Sequence, residues 1–496
     1  MLGCTPGGGA SEANGSAASG STGSQTKTEV AETIYVEAEK PVEKTEEIDT
    51  DIVIIGSGIA GMSAALQASL GKAKVTVLEK HTVGGGNSSL CGGNFYCCGS
   101  KKQDELGYSD YGTPEEVAQF YYDRSEGDAS MEMCRLVAER GGEAMDWLVS
   151  FGCDFDKKPG EGISDRCMVS TTKGKGIVDV LTEEATKNGT EVMMETRAIE
   201  IIMDGGKATG VRARKGSTEY IVNAKAVIMA SGGFDGQSWS KAMYAPGVAD
   251  WHTYSSPGNT GDGIELAKQA GALTMVKCGF DQVHQVGKTP IDSHSEASTL
   301  RMINTGVYIS DLGYRCANES MNIQFDYLTP FVRSGRNSFF IICDSQQSEK
   351  RMSLLEEGVE LGAVHKADTL EELIEMTGVP PYPAKKTLER YNALCEQGED
   401  VDFGKDPADL QKIEQGPFYA VQIIPSTTDS FGSLPITTKT EVVDPDRNPI
   451  PGLYAAGTIG NVELFYEHYP ISGASLCMGT VSGRIAAEEA IKYYGG

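Results

Sequence analysis

Asp51-Ile52-Val53-Ile54-Ile55-Gly56-Ser57-Gly58-Ile59-Ala60-Gly61 decides the fold. Its first five residues form a short apolar run rich in β-branched side chains, the pattern of a parallel strand buried on both faces. The run enters Gly-Ser-Gly-Ile-Ala-Gly and continues into a helical stretch at 62–70. Residues 74–78 (KVTVL) read as a second strand, followed at once by Glu79. A lone G-x-G-x-x-G says little. Between strand and helix, with an acid about 20 residues on, it predicts a dinucleotide-binding unit. Gly56 allows the tight turn, Gly58 lets the backbone approach a pyrophosphate, and Gly61 lets helix and strand pack closely. The helix N-terminus faces the phosphate charge, and Glu79 can accept hydrogen bonds from an adenosine ribose.

Further glycine-rich turns lie far along the chain. Gly84-Gly85-Gly86-Asn87-Ser88-Ser89-Leu90-Cys91-Gly92-Gly93 follows soon after the acid. A strand-turn at 227–233 (VIMASGG) includes Ala230 and Gly232, and Gly261-Asp262-Gly263 comes next. Residues 452–457 (GLYAAG) add another strand-turn ending at Gly457. A nicotinamide enzyme needs no grip distributed over the whole chain, whereas an extended, tightly held flavin dinucleotide does.

Length and charge bound the remaining choices. With 496 residues and 40% hydrophobic side chains the chain can bury a substantial core. The net charge of −27 argues against nucleic acid or an anionic membrane as main partner, because both need clustered positive charge. No run of about 18 apolar residues occurs, so nothing reads as a bilayer span. Residues 1–47 are rich in Gly, Ser, Ala and Thr and then acidic, and read as a disordered tether. Leu2-Gly3-Cys4 resembles the end of a bacterial lipoprotein signal, with Cys4 as the lipid-bearing residue. That implies an extracytoplasmic, lipid-anchored chain, touching membrane only through its anchor. The twelve cysteines include no Cys-x-x-Cys pair, which disfavours haem c and a zinc ribbon. They read as free, partly buried thiols, and no metal site is predicted. Spacing leaves an iron–sulfur cluster assembled from scattered cysteines open.

The ordered motifs GSGIAGMSAALQAS, GGNSSLCGG, AVIMASGGF, GNTGDGIELAKQAGA, LGYRCANE, ERYNALCEQGEDVDFGK, GPFYAVQI and IPGLYAAG resemble the fumarate reductase/succinate dehydrogenase flavoprotein family, from about residue 50 to the C-terminus. The resemblance implies an α/β fold. A Rossmann-like FAD-binding domain in two segments, 48–281 and 430–496, would flank an inserted α+β capping domain at 282–429. It also implies that Gly56, Ser57, Gly58, Ala60, Gly61, Glu79, Lys80, Asn87, Ser88, Gly92 and Gly93 hold FAD. Ala198, Ala230, Gly232, Asp262, Gly457, Thr458, Ser475 and Leu476 complete the expected set. Members with covalent FAD carry a histidine in the loop occupied here by Asn87-Ser88, so the resemblance implies noncovalent FAD and net reduction of a double bond.

The departures from the family pattern bear on substrate. Fumarate-reducing members clamp a dicarboxylate with Thr-Glu, two histidines and arginines, because a desolvated carboxylate must be paired. His284 still matches one family histidine. Ser298-Thr299 replaces Thr-Glu, Ile323 lies near the proton-donating arginine position, Thr428-Asp429 replaces the His-His pair, and Pro470 occupies the C-terminal arginine site. Residues 465–473 (FYEHYPISG) instead resemble 3-ketosteroid dehydrogenases and related enone-reducing flavoproteins, in which a Tyr-Pro…Gly arrangement binds a ketone oxygen. Tyr469 and the Gly473 N–H are therefore expected as an oxyanion-type site, since hydride addition to an enone builds charge on its oxygen. Tyr466, His468, Tyr308, Arg333 and Arg336 are candidates for delivering the α-carbon proton.

The expected function is an FAD-dependent reductase of an α,β-unsaturated carbonyl compound, steroid-like or plant-derived, such as a cardiac glycoside lactone. A separate membrane-anchored cytochrome would supply electrons, because the chain has no haem motif and no evident nicotinamide site. The alternatives are a ketosteroid dehydrogenase working oxidatively, or a fumarate- or urocanate-type reductase of another organic acid. A pure electron carrier would have little need of a cap.

Overall fold

The computed structural model describes residues 41–108, 112–157, 167–276, 279–285, 296–320, 338–466 and 468–495. Cys4 and Arg333 lie outside them, as do Ile323 and Arg336.

Strand Ile52–Ile55 is wholly buried, as its apolar run requires. It pairs in parallel with Val75–Leu78 on one side and Ala226–Met229 on the other. The sheet continues to Glu191–Met193 at one edge, and through Pro449–Ala455 to Glu441–Val443 at the other. Only the last pairing is antiparallel. Strands from both ends of the chain thus share one sheet, so this domain is built from two sequence segments. Helix Ile59–Leu70 follows the first strand directly and packs against the long C-terminal helix Ala474–Gly495.

A second sheet runs Lys44–Asp49, Thr218–Asn223, Lys207–Lys215, Arg197–Asp204. Its first strand corrects the tether's expected end at residue 47, because Lys44–Asp49 pairs in register with Thr218–Asn223. The tether composition therefore gives way to ladder hydrogen bonds a few residues early.

The cap is organised around the long strand Phe418–Phe431. Phe339–Cys343, Val364–Ala367 and Gly279–Gln285 pair with it antiparallel, and His252–Thr253 pairs with it in parallel. This sheet recruits strands from before residue 282, so the cap is joined to the rest of the chain by backbone pairing as well as by its linkers. An ion cluster ties the cap together. Arg315 reaches Glu319 at 2.5 Å and Asp400 at 2.7 Å, with both carboxylate side chains fully buried. Lys405 Nζ donates to the Gly306 carbonyl at 2.7 Å and the Tyr391 hydroxyl at 2.8 Å. The motifs LGYRCANE and ERYNALCEQGEDVDFGK meet in this cluster. Val42–Gly496 forms one compact unit.

Candidate active site

The strand ends and glycine turns converge on one cavity, with about 1690 Å³ of space free of atoms, open solvent included. At the turn after the first strand, Gly56 takes φ +104°, and a Cβ there would lie 2.3 Å from the Ala230 carbonyl oxygen. Only glycine tolerates both constraints. Ser57 donates through Oγ to Glu79 Oε2 at 2.6 Å, and its N–H reaches the same oxygen at 3.2 Å. The His81 N–H donates to Glu79 Oε1 at 2.9 Å. The acid at the end of the second strand is thus oriented from both sides.

Beside it, Asp262 accepts from Lys80 Nζ at 3.2 Å and from Arg197 Nε at 2.9 Å. Burial works to raise the Asp262 carboxyl, but the two cations outweigh it and hold it below the ordinary range. Burial likewise lowers Lys80, against the pull of Asp262. Cations and acids are balanced at this end of the cavity.

At the other end the C-terminal stretch folds over the cavity. The Tyr469 hydroxyl accepts from the Ser475 N–H at 3.1 Å, and its ring stacks on Phe431 at 5.2 Å with 5° between planes. Phe465 meets both rings edge-on. Gly473 has φ +97°, and a Cβ there would fall within 2.9 Å of the Phe95–Tyr96 backbone. Its carbonyl accepts from the Tyr96 N–H at 3.2 Å. Asp429 closes the wall, accepting from the Thr458 hydroxyl at 3.2 Å and the Ser430 N–H at 3.0 Å. Cys91 lies in the wall as a thiol pushed up to about 11 by burial.

Nearly all of the expected cofactor residues line this cavity: Gly56, Ser57, Gly58, Ala60, Glu79, Lys80, Asn87, Ser88, Gly92, Ala198, Ala230, Gly232, Asp262, Gly457, Thr458, Ser475 and Leu476. Gly61 and Gly93 are not in the lining. Gly61 packs against Gly56, in the helix–strand role expected of it, while Gly93 packs against Lys173 and Gly174. Tyr469 and Gly473 share the lining. Tyr466 and His468 do not: Tyr466 sits at φ +53°, and His468 Nε2 points towards Glu126 Oε1 at 3.9 Å. His284 is placed only by its backbone, opposite Ile424. Tyr308 is buried in the cap, its hydroxyl donating to the Arg301 carbonyl.

Sequence reasoning missed Tyr254, Ser256, Arg197, Asn94 and Ser472 as lining residues. Asn94 and Ser472 adjoin the glycines of quoted stretches, whereas Tyr254, Ser256 and Arg197 stand outside every motif and no local pattern marks them. Two orphaned polar atoms support a large polar occupant. Among the described residues, Ser231 Oγ and Thr428 Oγ1 are buried without a hydrogen-bond partner, and both residues line the cavity. With the glycine cradle at one end and the N-terminus of helix Ala474–Gly495 at the other, the residues present fit a dinucleotide laid along the cavity. Among the described residues, no group of three or more His, Cys, Asp or Glu side chains is placed to hold a metal ion.

Residues 51–476 match the protein family described as "FAD binding domain". A fumarate reductase (cytochrome) of Shewanella frigidimarina is 29% identical over 453 residues, covering 89% of this chain and 77% of its own length. A vinyl phenol reductase of Lactiplantibacillus plantarum is 28% identical, covering 89% of this chain and 96% of its own. Among solved structures, the open conformation of a flavocytochrome c3 fumarate reductase superposes with a TM-score of 0.69 at 26% identity, covering 91% of this chain and 79% of that one. The expected α/β fold with a capping domain is borne out by that likeness.

Proposed function

The chain belongs to this FAD-binding family of fumarate reductase-like flavoproteins, and on that premise we propose that it saturates the C=C bond of a neutral α,β-unsaturated carbonyl compound. It is an FAD-dependent oxidoreductase acting on CH–CH groups. The observation carrying the finer reading is that Tyr469 and Gly473 line the same cavity as the dinucleotide-binding turns.

When bound and reduced, FAD supplies the hydride that such a reaction delivers to the β carbon. The protein's task is to hold the substrate carbonyl and to carry the charge that builds on its oxygen. Tyr469 accepts the Ser475 N–H, which fixes its oxygen, and a phenol oxygen that accepts can donate its own proton as well. The Phe431 stack and the Phe465 edge contacts hold the ring in one orientation. The positive φ of Gly473 turns its peptide at the helix start, where a second N–H donor serves the same oxygen. Such preorganised donors stabilise charge most effectively where water is excluded.

In this reading the substrate is steroid-like or plant-derived, such as the unsaturated lactone of a cardiac glycoside, and a separate membrane-anchored cytochrome brings the electrons. The FAD is held without a covalent bond, since Asn87 and Ser88 stand where covalent members have histidine, and a carboxamide or hydroxyl forms no such link.

The test is anaerobic reoxidation of chemically reduced holoenzyme by a panel of acceptors, followed by acid precipitation to see whether the flavin leaves the protein. Reoxidation by neutral enones and lactones, with unsaturated carboxylates inert, supports the proposal. Reoxidation by fumarate or urocanate alone overturns it, as does reduction of the flavin by a saturated ketosteroid with no response to any enone.

A further inference from the structure

Asp235, just beyond the strand-turn that follows Ala226–Met229, is fully buried, and the dinucleotide grip described above gives it no task. Its two oxygens face three side chains from two segments. Ser255 Oγ donates to Oδ2 at 2.5 Å and Asn259 Nδ2 donates to Oδ1 at 3.3 Å, while the Thr427 hydroxyl, on the cap strand, faces the same carboxylate. Burial pushes the carboxyl above its ordinary range, and hydrogen bonds from these neighbours offset only part of that rise.

The chain of hydrogen bonds continues to the cavity. Ser255 has one hydroxyl proton, and Asp235 takes it. Ser255 can then only accept from its remaining neighbour, Asn87 Nδ2, at 3.3 Å. The same Asn87 nitrogen donates to the Thr428 carbonyl at 2.8 Å, and Asn87 Oδ1 accepts from the Ser256 N–H at 2.6 Å. Every polar atom of the Asn87 amide is engaged: the Ser256 N–H and the Thr428 carbonyl fix its sense, and the Ser255 hydroxyl, held as an acceptor by Asp235, takes its remaining N–H. Thr428 belongs to the end of the cap's central strand, and Asn87 to helix Gly86–Leu90 in the cavity wall.

We propose that Asp235 is a positioning residue: through Ser255 it locks the Asn87 amide in the sense its backbone contacts require, and with it the junction between the flavin-binding loop and the cap strand at Thr428. The inference rests on flavin occupying the cavity and not on the choice of substrate. A carboxylate is required because it accepts at both oxygens. The amide of D235N keeps the shape but turns an N–H towards either Ser255 or Asn259, both of which donate to the native side chain, so one of the two loses its acceptor and the cluster that holds Ser255 is weakened.

The experiment compares D235N, S255A, N87A and the double variant D235N/N87A as holoproteins, reading the visible circular dichroism of bound FAD and its dissociation constant. The expected result is a common change in the flavin signal and an FAD Kd raised about tenfold in each single variant. The double variant should be no weaker than the worse single one, because residues acting in one network do not add. Wild-type flavin signals and FAD affinity in D235N overturn the proposal, and so do losses that add in the double variant. Should D235N fail to fold, S255A decides: it removes only the relaying hydroxyl, and an unaltered flavin signal in it sinks the inference equally.

Discussion

The Tyr469 hydroxyl accepts a hydrogen bond from the Ser475 N–H at 3.1 Å, at the first turn of the C-terminal helix. A phenol is thereby fixed to a helix N-terminus inside the cavity that takes the flavin. Tyr469→Phe keeps the stack on Phe431 and removes the hydroxyl, both as a donor and as the acceptor of the Ser475 N–H. The expected loss is roughly 100-fold in kcat with little change in KM, as for one donor of an oxyanion-type site. Steady-state kinetics on a neutral enone check this. An unchanged kcat would remove Tyr469 from the reaction.

Gly473→Ala should be far more damaging than its size suggests. The position has φ +97°, and the added methyl would meet the Phe95 and Tyr96 backbone at 2.7–2.9 Å, which no rotamer relieves. A cost of about 3 kcal/mol or more is expected from strain and clash together. A denaturant titration of the holoprotein measures it.

The cap's ion cluster leads to a stability prediction separate from the cavity. Glu319→Gln removes a fully buried charge and leaves Arg315 with Asp400, and Lys405 without its acid. Breaking one member of such a set costs about 3–5 kcal/mol, because the remaining charges stay desolvated. Urea unfolding should show the loss, and a hydrophobic replacement of the whole set should cost less than the single change.

Alkaline pH should weaken the fold through its buried thiols. Burial pushes Cys134, Cys153, Cys316 and Cys343 up to about 12, against an ordinary value of 9.0. The folded state therefore keeps protons that the unfolded chain gives up. Their contribution is fully present below pH 9 and is lost as pH rises from 9 towards 12. The urea midpoint should fall over that window. The four thiols should also stay unreactive to a thiol reagent at pH 8 until the protein unfolds.

Much of the flavin site was legible because its signals are local. Gly56, Gly58 and Glu79 sit at fixed offsets in one strand-turn-helix-strand unit, and that unit closes the same way wherever it occurs. Gly93 shows the limit of that logic. The family resemblance implied a cofactor contact there, and in the structure its positive φ brings it close against Lys173 and Gly174, outside the cavity lining. Tyr466 and His468 show another. They flank Tyr469 within a few residues, but the turn that carries Tyr469 into the cavity leaves its neighbours outside the lining.

By itself, the order of strands, turns and glycines determined a flavin-binding α/β unit, because backbone pairing and phosphate-binding turns depend on short-range pattern, and the inserted cap was implied by the family resemblance of the longer motifs. Only the tertiary structure decided which side chains share the cavity with that turn. Asn87, Ser255, Asp235 and Thr428 lie up to 341 residues apart and still form one hydrogen-bonded chain. Their meeting is a consequence of how the cap strand crosses the flavin domain, and burial, which makes each unpaired polar atom costly, holds them in that arrangement.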